Sequence, residues 1–161
     1  MMAGEHTATI LWQRGAQDFL DKKYSREHIW RFDDGCEVPG SCPPSKLIPP
    51  PMARPDAVDP EEGLVASLSA CHMIYFLAFA AKAGFRVDSY VDEAIGVLGK
   101  NERGRTFMER ITLRPKVVFS GSTKPDQAAL DELHKRAHDQ CIIANSLRSD
   151  VIVAPPPPTF A

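Results

Sequence analysis

The sequence predicts an α+β fold: an antiparallel sheet with two long helices against it, the first helix central and buried. Three observations carry this. Residues 59–84 read as one well-delimited helix that is apolar on every side, and such a helix belongs in a core. Stretches at 7–14, 24–33, 87–98, 106–119 and 149–154 alternate with the period of two that marks strands. Their order, ββ–α–ββ–α–β, groups strands in hairpins between helices, the pattern of an α+β protein.

The elements follow in chain order. In 7–14, Ala8, Ile10 and Trp12 share one face. In 24–33, Trp30 and Phe32 take the core face, and the period of two puts Tyr24, Arg26 and His28 on that face while Ile29 and Arg31 turn away. An inward arginine must find an anion or an opening to water, unless it stands at the strand end and snorkels out. Residues 34–58 form a Gly/Pro-rich connection, too irregular for helix or sheet, and long loops often line sites. It holds Cys36 and Cys42, whose spacing is a weak metal or disulfide signal, and they read as incidental loop thiols.

In the first long helix Asp59 is the N-cap, Pro60 the first helical residue, Glu62 completes a capping box and Gly84 supplies the stop. Leu64, Leu68, Cys71 and Tyr75 fall on one face, and Val65, Met73, Phe76, Leu77 and Phe79 spread apolar surface over the others. Residues 87–98 and 106–119 then read as a hairpin across a polar turn, its second arm continuing or bending at Pro115. In that arm Phe107, Ile111, Leu113, Val117 and Phe119 keep one parity. Thr123 caps a second helix starting near Pro125, with Asp126 in the capping-box position. Leu130, Leu133, Ala137, Cys141 and Ala144 fall on its inner face. A short strand, 149–154, ends the ordered chain, and 155–161 is a Pro-rich tail unstructured by itself. There is no internal repeat, so residues 1–161 read as a single domain.

Composition narrows the function classes. The 161 residues are 43% hydrophobic and 25% charged, with a net charge of −2, which gives no footprint for a nucleic-acid partner. Leu64 to Ala81 carries no formal charge, yet it is short for a membrane span and holds two serines, a cysteine and a histidine, so it reads as a core helix. The N-terminal stretch lacks the basic and apolar regions of a signal peptide. Four cysteines in that context point to a reducing, cytoplasmic setting, where thiols are catalytic, metal-binding or simply buried.

Cys71 carries the main chemical question. Taken alone, a cysteine within a buried helix is a small core hydrophobe, and reactivity requires a nearby cation and access. His72 cannot supply the cation, because adjacent helical side chains point about 100° apart. Arg26 can, if the fold brings its strand over the helix. A second constellation, His134, His138 and Cys141, has donors that zinc accepts, but it lacks a fourth ligand and competes with a solvated helix edge. No Gly-rich phosphate loop, GxSxG elbow or HExxH is present.

The stretch DPEEGLVASLSACHM resembles the signature of the OsmC/Ohr family, the osmotically inducible protein C and organic hydroperoxide resistance proteins. The shared features are a Pro-Glu-Glu helix start, a run of small and apolar residues, and a cysteine ten positions after the first glutamate. A second cysteine follows about seventy residues later in AHDQCIIANSL, near the family spacing. The resemblance spans most of Thr7 to Val153. It implies an OsmC-like intertwined homodimer that reduces organic hydroperoxides with no metal or bound organic cofactor. Cys71 would match the peroxidatic cysteine and Cys141 the resolving one, with a dithiol reductant, of lipoyl type among the candidates, closing the cycle. Glu61 matches the glutamate that orients the thiolate-holding arginine. Arg26 is favoured for that arginine, and Arg54, just before the helix, is the alternative. The Pro and Ser that commonly follow the second cysteine are replaced by Ile142 and Ile143, with Ser146 further on, and Cys36 and Cys42 have no counterpart. Glu61 and Cys71 lie about 15 Å apart along one helix, so Glu61 fits the site of a neighbouring subunit. The runner-up is a non-enzymatic dimer of the same family that binds small apolar molecules.

Overall fold

The computed structural model describes residues 4–161. The chain divides into two compact units, 1–63 and 64–161.

The first unit is an antiparallel three-stranded sheet of β1 (Thr9–Leu11), β2 (His28–Arg31) and β3 (Glu37–Gly40), in that order. The first two strands are shorter than the alternating pattern implies. The Trp12 indole donates to the Ser25 carbonyl at 2.8 Å, and the Arg26 amide donates to the Met52 carbonyl at 2.8 Å. Both contacts draw the chain out of the β1–β2 ladder. Arg26, predicted on the inward register of a strand, therefore stands in the lead-in to β2. The irregular reading of 34–58 is also corrected, because β3 lies inside it. Pro39 opposite Ile29 hid the strand, and Pro is tolerated there because β3 is an edge. Trp30 is held between two glycines: a Cβ on Gly40 would stand 2.6 Å from its indole nitrogen, and one on Gly63 would stand 2.5 Å from its ring.

Helix α1 (Pro60–Lys82) starts in the first unit, and its body from Leu64 belongs to the second. Its capping box forms as predicted: the Glu62 amide donates to Asp59 Oδ1 at 2.8 Å, and the Asp59 amide to Glu62 Oε2 at 3.1 Å. Gly84 ends it with a positive φ of 81°. The buried stripe is Leu68, His72, Phe76 and Ala80, spaced four apart. Leu64, Cys71 and Tyr75 flank it half-buried, and Ile74 is exposed. One chain thus covers one side of this helix.

In the second unit, both arms of the predicted hairpin break at the same level. The strands are β4 (Arg86–Asp92), β5 (Ile95–Lys100), β6 (Thr106–Leu113) and β7 (Pro115–Ser120), with β5–β6 and β4–β7 paired antiparallel. At the break, Asp92 accepts from the Arg114 amide and from Ser69 Oγ of α1, each at 2.6 Å. Ile111, Leu113, Pro115, Val117 and Phe119 are buried in one parity across it. Helix α2 (Gln127–Gln140) begins later than predicted, its cap three positions on from Thr123, since Asp126 itself is the N-cap and accepts from the Ala129 amide at 2.8 Å.

Cys141 ends α2 instead of lying within it. Its extended backbone (φ −64°, ψ 111°) leads into the short helix α3 (Ile142–Ser146). The Asn145 amide group secures that corner by donating to the carbonyls of Asp139 and Cys141, at 3.0 and 2.9 Å. β8 (Asp150–Val153) then adds to β6 in parallel. The tail is not wholly unstructured: β9 (Thr159–Phe160) adds in parallel to β7, with the Phe160 ring 6.2 Å from that of Phe119. Phe76 and Ala80 pack with Val117, Phe119, Leu130, Leu133 and Ala137. Leu68 packs with Ile111, Leu113 and Cys141.

Candidate functional site

The stripe that buries Leu68 sets Cys71 half-buried beside it, in the cluster that also contains Cys141. The α2–α3 corner turns the Cys141 thiol inward, fully buried. Both cysteines are free thiols packed into the same cluster, near enough that Cys71 acts on the Cys141 thiol. Burial pushes the Cys141 thiol up to about 11, and the contact with Cys71 pushes in the same direction. Opposing this, Cys141 Sγ accepts from the Ala144 amide at 3.4 Å. At neutral pH Cys141 therefore keeps its proton. Met108, Ile143, Leu147 and Val151 surround the pair, so its environment is apolar. This arrangement can carry sulfur oxidation at one thiol followed by condensation with the other.

The remaining predicted residues lie in the first unit. The Arg26 guanidinium donates to the carbonyls of Tyr24 and Lys22 and lies over the Tyr24 ring, 4.0 Å from its centroid. It forms no ion pair among the described residues. His28 supports it: the His28 Nε2 accepts from the Trp30 indole at 2.7 Å, which leaves Nδ1–H to donate to the Arg26 carbonyl at 2.8 Å. Arg54 is engaged differently. It grips Asp56 through Nε and Nη2 at 2.9 and 2.8 Å and Glu27 through Nη1 at 2.5 Å. Those two carboxylates raise Arg54 above its ordinary value, while Arg54 holds Asp56 below the usual carboxylate range. Glu61 is exposed in the first turn of α1.

The first unit also holds an apolar pocket of about 420 Å³, lined by Ile10, Trp12, Phe19, Tyr24, Arg26 and Cys42 among others. Trp12, Phe19 and Tyr24 form a ring cluster with centroids 4.6 to 5.9 Å apart. Cys36 is exposed at the other end of β3.

His134, His138 and Cys141 do not converge. His134 turns to His72, with 3.2 Å between ring nitrogens, and Cys141 packs in the cluster with Cys71. Among the described residues no group of three His, Cys, Asp or Glu side chains is placed to hold a metal. His72, weighed from the sequence only as a cation for Cys71 and set aside, is instead a member of a buried histidine pair. Its place in the Leu68–Phe76–Ala80 stripe, four residues from each neighbour, was the available signal.

The profile of the OsmC-like protein family matches residues 53–154. No protein in a search of curated proteins matches. Among solved structures, an OsmC-like protein of unknown function from Vibrio cholerae is similar at 44% identity, covering 96% of this chain and 100% of that one with a TM-score of 0.92. An organic hydroperoxide resistance protein from Elizabethkingia anophelis shares the fold at 21% identity, with 99% and 97% coverage and a TM-score of 0.64. An organic hydroperoxide resistance protein OsmC from Legionella pneumophila does so at 15% identity, with 100% coverage of both chains and a TM-score of 0.62. With the profile spanning more than half of the sequence and a near-complete match to the Vibrio cholerae protein at 44% identity, the chain belongs to the OsmC-like family.

Proposed function

We propose that the protein is a thiol peroxidase that reduces organic hydroperoxides to alcohols. The single observation that supports this most is the packing of two free thiols, Cys71 and Cys141, into one apolar cluster. The Cys71 thiolate attacks the peroxide oxygen, and the O–O bond breaks. Cys71 becomes a sulfenic acid, and the alkoxide leaves as the alcohol after taking a proton. The protonated Cys141 then condenses with the sulfenic acid, forming the Cys71–Cys141 disulfide and releasing water. A dithiol reduces the disulfide by exchange and is itself oxidised, restoring both thiols. No metal or organic cofactor takes part.

Thiolate attack calls for a cation, and Arg26 is the better candidate. It forms no ion pair among the described residues, whereas Arg54 would first have to release Asp56 or Glu27. The active unit is a homodimer in which Glu61 serves the neighbouring subunit's site, and the chain works in the reducing environment of the cytoplasm. A second reading, a non-enzymatic dimer that binds small apolar molecules, draws support from the aromatic pocket of the first unit.

Consumption of an organic hydroperoxide by the wild type, Cys71→Ser and Cys141→Ser separates the two. Cys71→Ser should lose the activity, and Cys141→Ser should complete about one turnover and stall as a sulfenic acid. A Cys71→Ser protein with the wild-type rate would refute the peroxidase.

A further inference from the structure

Two buried histidines have no role in the thiol chemistry. His72 of α1 and His134 of α2 are 0% and 5% exposed. His72 Nε2 lies 3.2 Å from His134 Nδ1, with the rings 12° from parallel, and Phe76 stacks on His134 with centroids 4.5 Å apart. His72 Nδ1 is buried without a hydrogen-bond partner among the described residues. That assigns the proton. An orphaned lone pair is tolerated in a protein interior better than an orphaned N–H, so His72 donates through Nε2–H and His134 accepts through Nδ1.

We propose that this hydrogen bond is a positioning device, registering α1 against α2 so that the Cys71 and Cys141 side chains stay packed together. The proposal deepens the peroxidase reading and rests on it for its consequence in turnover. The same two segments meet at both points. His72 follows Cys71 directly, and His134 lies on the helix that Cys141 terminates. Adjacent side chains on α1 diverge by about 100°, so His72 and Cys71 grip the α2–α3 segment at two bearings around the α1 axis. A roll of α1 that separates Cys71 from Cys141 must also break the histidine bond. An apolar pair at 72 and 134 would bury equal surface without fixing that angle. Keeping a polar pair with an unsatisfied nitrogen costs stability, and what it supplies is direction. Burial keeps both rings neutral, so neither repels the other and the bond persists at neutral pH.

The test compares amides of different reach, in full-length protein with Cys36 and Cys42 replaced by Ser. A Gln at 72 carries its amide to the position of Nε2, whereas an Asn stops at the position of Nδ1. Equilibrium with glutathione, in which two protein thiols and one oxidised glutathione give the disulfide and two reduced glutathiones, reports the effective concentration of one thiol at the other. His72→Gln should stay within about twofold of wild type and His72→Asn should fall about tenfold, the most that one hydrogen bond supports. Equal values for the two variants, at equal melting temperature, overturn the proposal. At position 134 the order inverts, with Asn reaching and Gln not, and that pair gives the same decision if position 72 does not tolerate change. Should the wild type consume no organic hydroperoxide, the peroxidase reading fails, while the glutathione equilibrium still decides what the histidines do.

Discussion

Burial of His72 and His134 sets a pH dependence of stability that can be worked out with its sign. Desolvation lowers each from 6.5 to about 4, and for His72 the neighbouring His134 and His138 add to the lowering. Asp131 acts the other way on His134. Above about pH 6.5 the rings are neutral in folded and unfolded chains alike, and the pair contributes its full stability. As pH falls from there towards 4, the unfolded chain takes up protons that the folded one refuses, so stability drops. Below about 4 the loss is complete. The two-and-a-half-unit shift sets an upper bound of roughly 3 kcal/mol per histidine. Urea unfolding across this range should show the decline, and the double variant His72→Gln/His134→Asn should flatten it. An unchanged slope in that variant would locate the acid sensitivity elsewhere. Residues of this kind were only half legible in the sequence. Cys71 and Cys141 stood out because their spacing and the Pro-Glu-Glu start form a motif. His72 did not, since what makes it distinctive is a partner 62 positions away in the chain.

Elements announced by local chemistry appear where that chemistry puts them. The cap of α1, its Gly84 stop and the single parity of Ile111, Leu113, Val117 and Phe119 are set by neighbouring residues, so they could be read directly. Elements that exist only because something else accepts them could not. β3 contains a proline and depends on being an edge, and β9 follows four prolines and depends on the free side of β7. The end of α2 at Gln140 depends on the Asn145 side chain folding back onto Asp139 and Cys141. β9 allows a quantitative check. Phe160 is 41% exposed, and its ring meets Phe119 on one side and the Lys124 ammonium, 5.0 Å from its centroid, on the other. Partial burial of a phenyl ring supports about 1 kcal/mol. Phe160→Ala should therefore lower the unfolding free energy by about that amount, with peroxide turnover unaffected. A change indistinguishable from zero would mean that β9 adds nothing to the folded chain.

At the scale of the whole molecule, each unit leaves several large apolar side chains exposed. In the second unit, Ile74 of α1 and Val91, Ile95, Val97 and Leu98 of β4 and β5 are 44 to 61% exposed. The first unit leaves Ile10, Leu20 and Leu47 exposed. Helix α1 is also long and apolar enough to span a membrane by length and composition, yet only 22% of that window is buried within one chain. A second copy of the chain is the occupant that the peroxidase reading requires, because Glu61 stands about 15 Å along the helix from the Cys71 of its own chain. Sedimentation should therefore return twice the mass of the single chain at micromolar concentration. Ile74→Glu sets a charge in the middle of the uncovered side of α1, and burying that charge costs several kcal/mol. The variant should sediment as a monomer that remains folded, and its peroxide consumption should fall together with its dimer fraction. Wild-type protein diluted until it is monomeric should lose activity in proportion. A monomer that kept its full rate at high dilution would return Glu61 to its own chain and leave the arginine of the site without an orienting carboxylate.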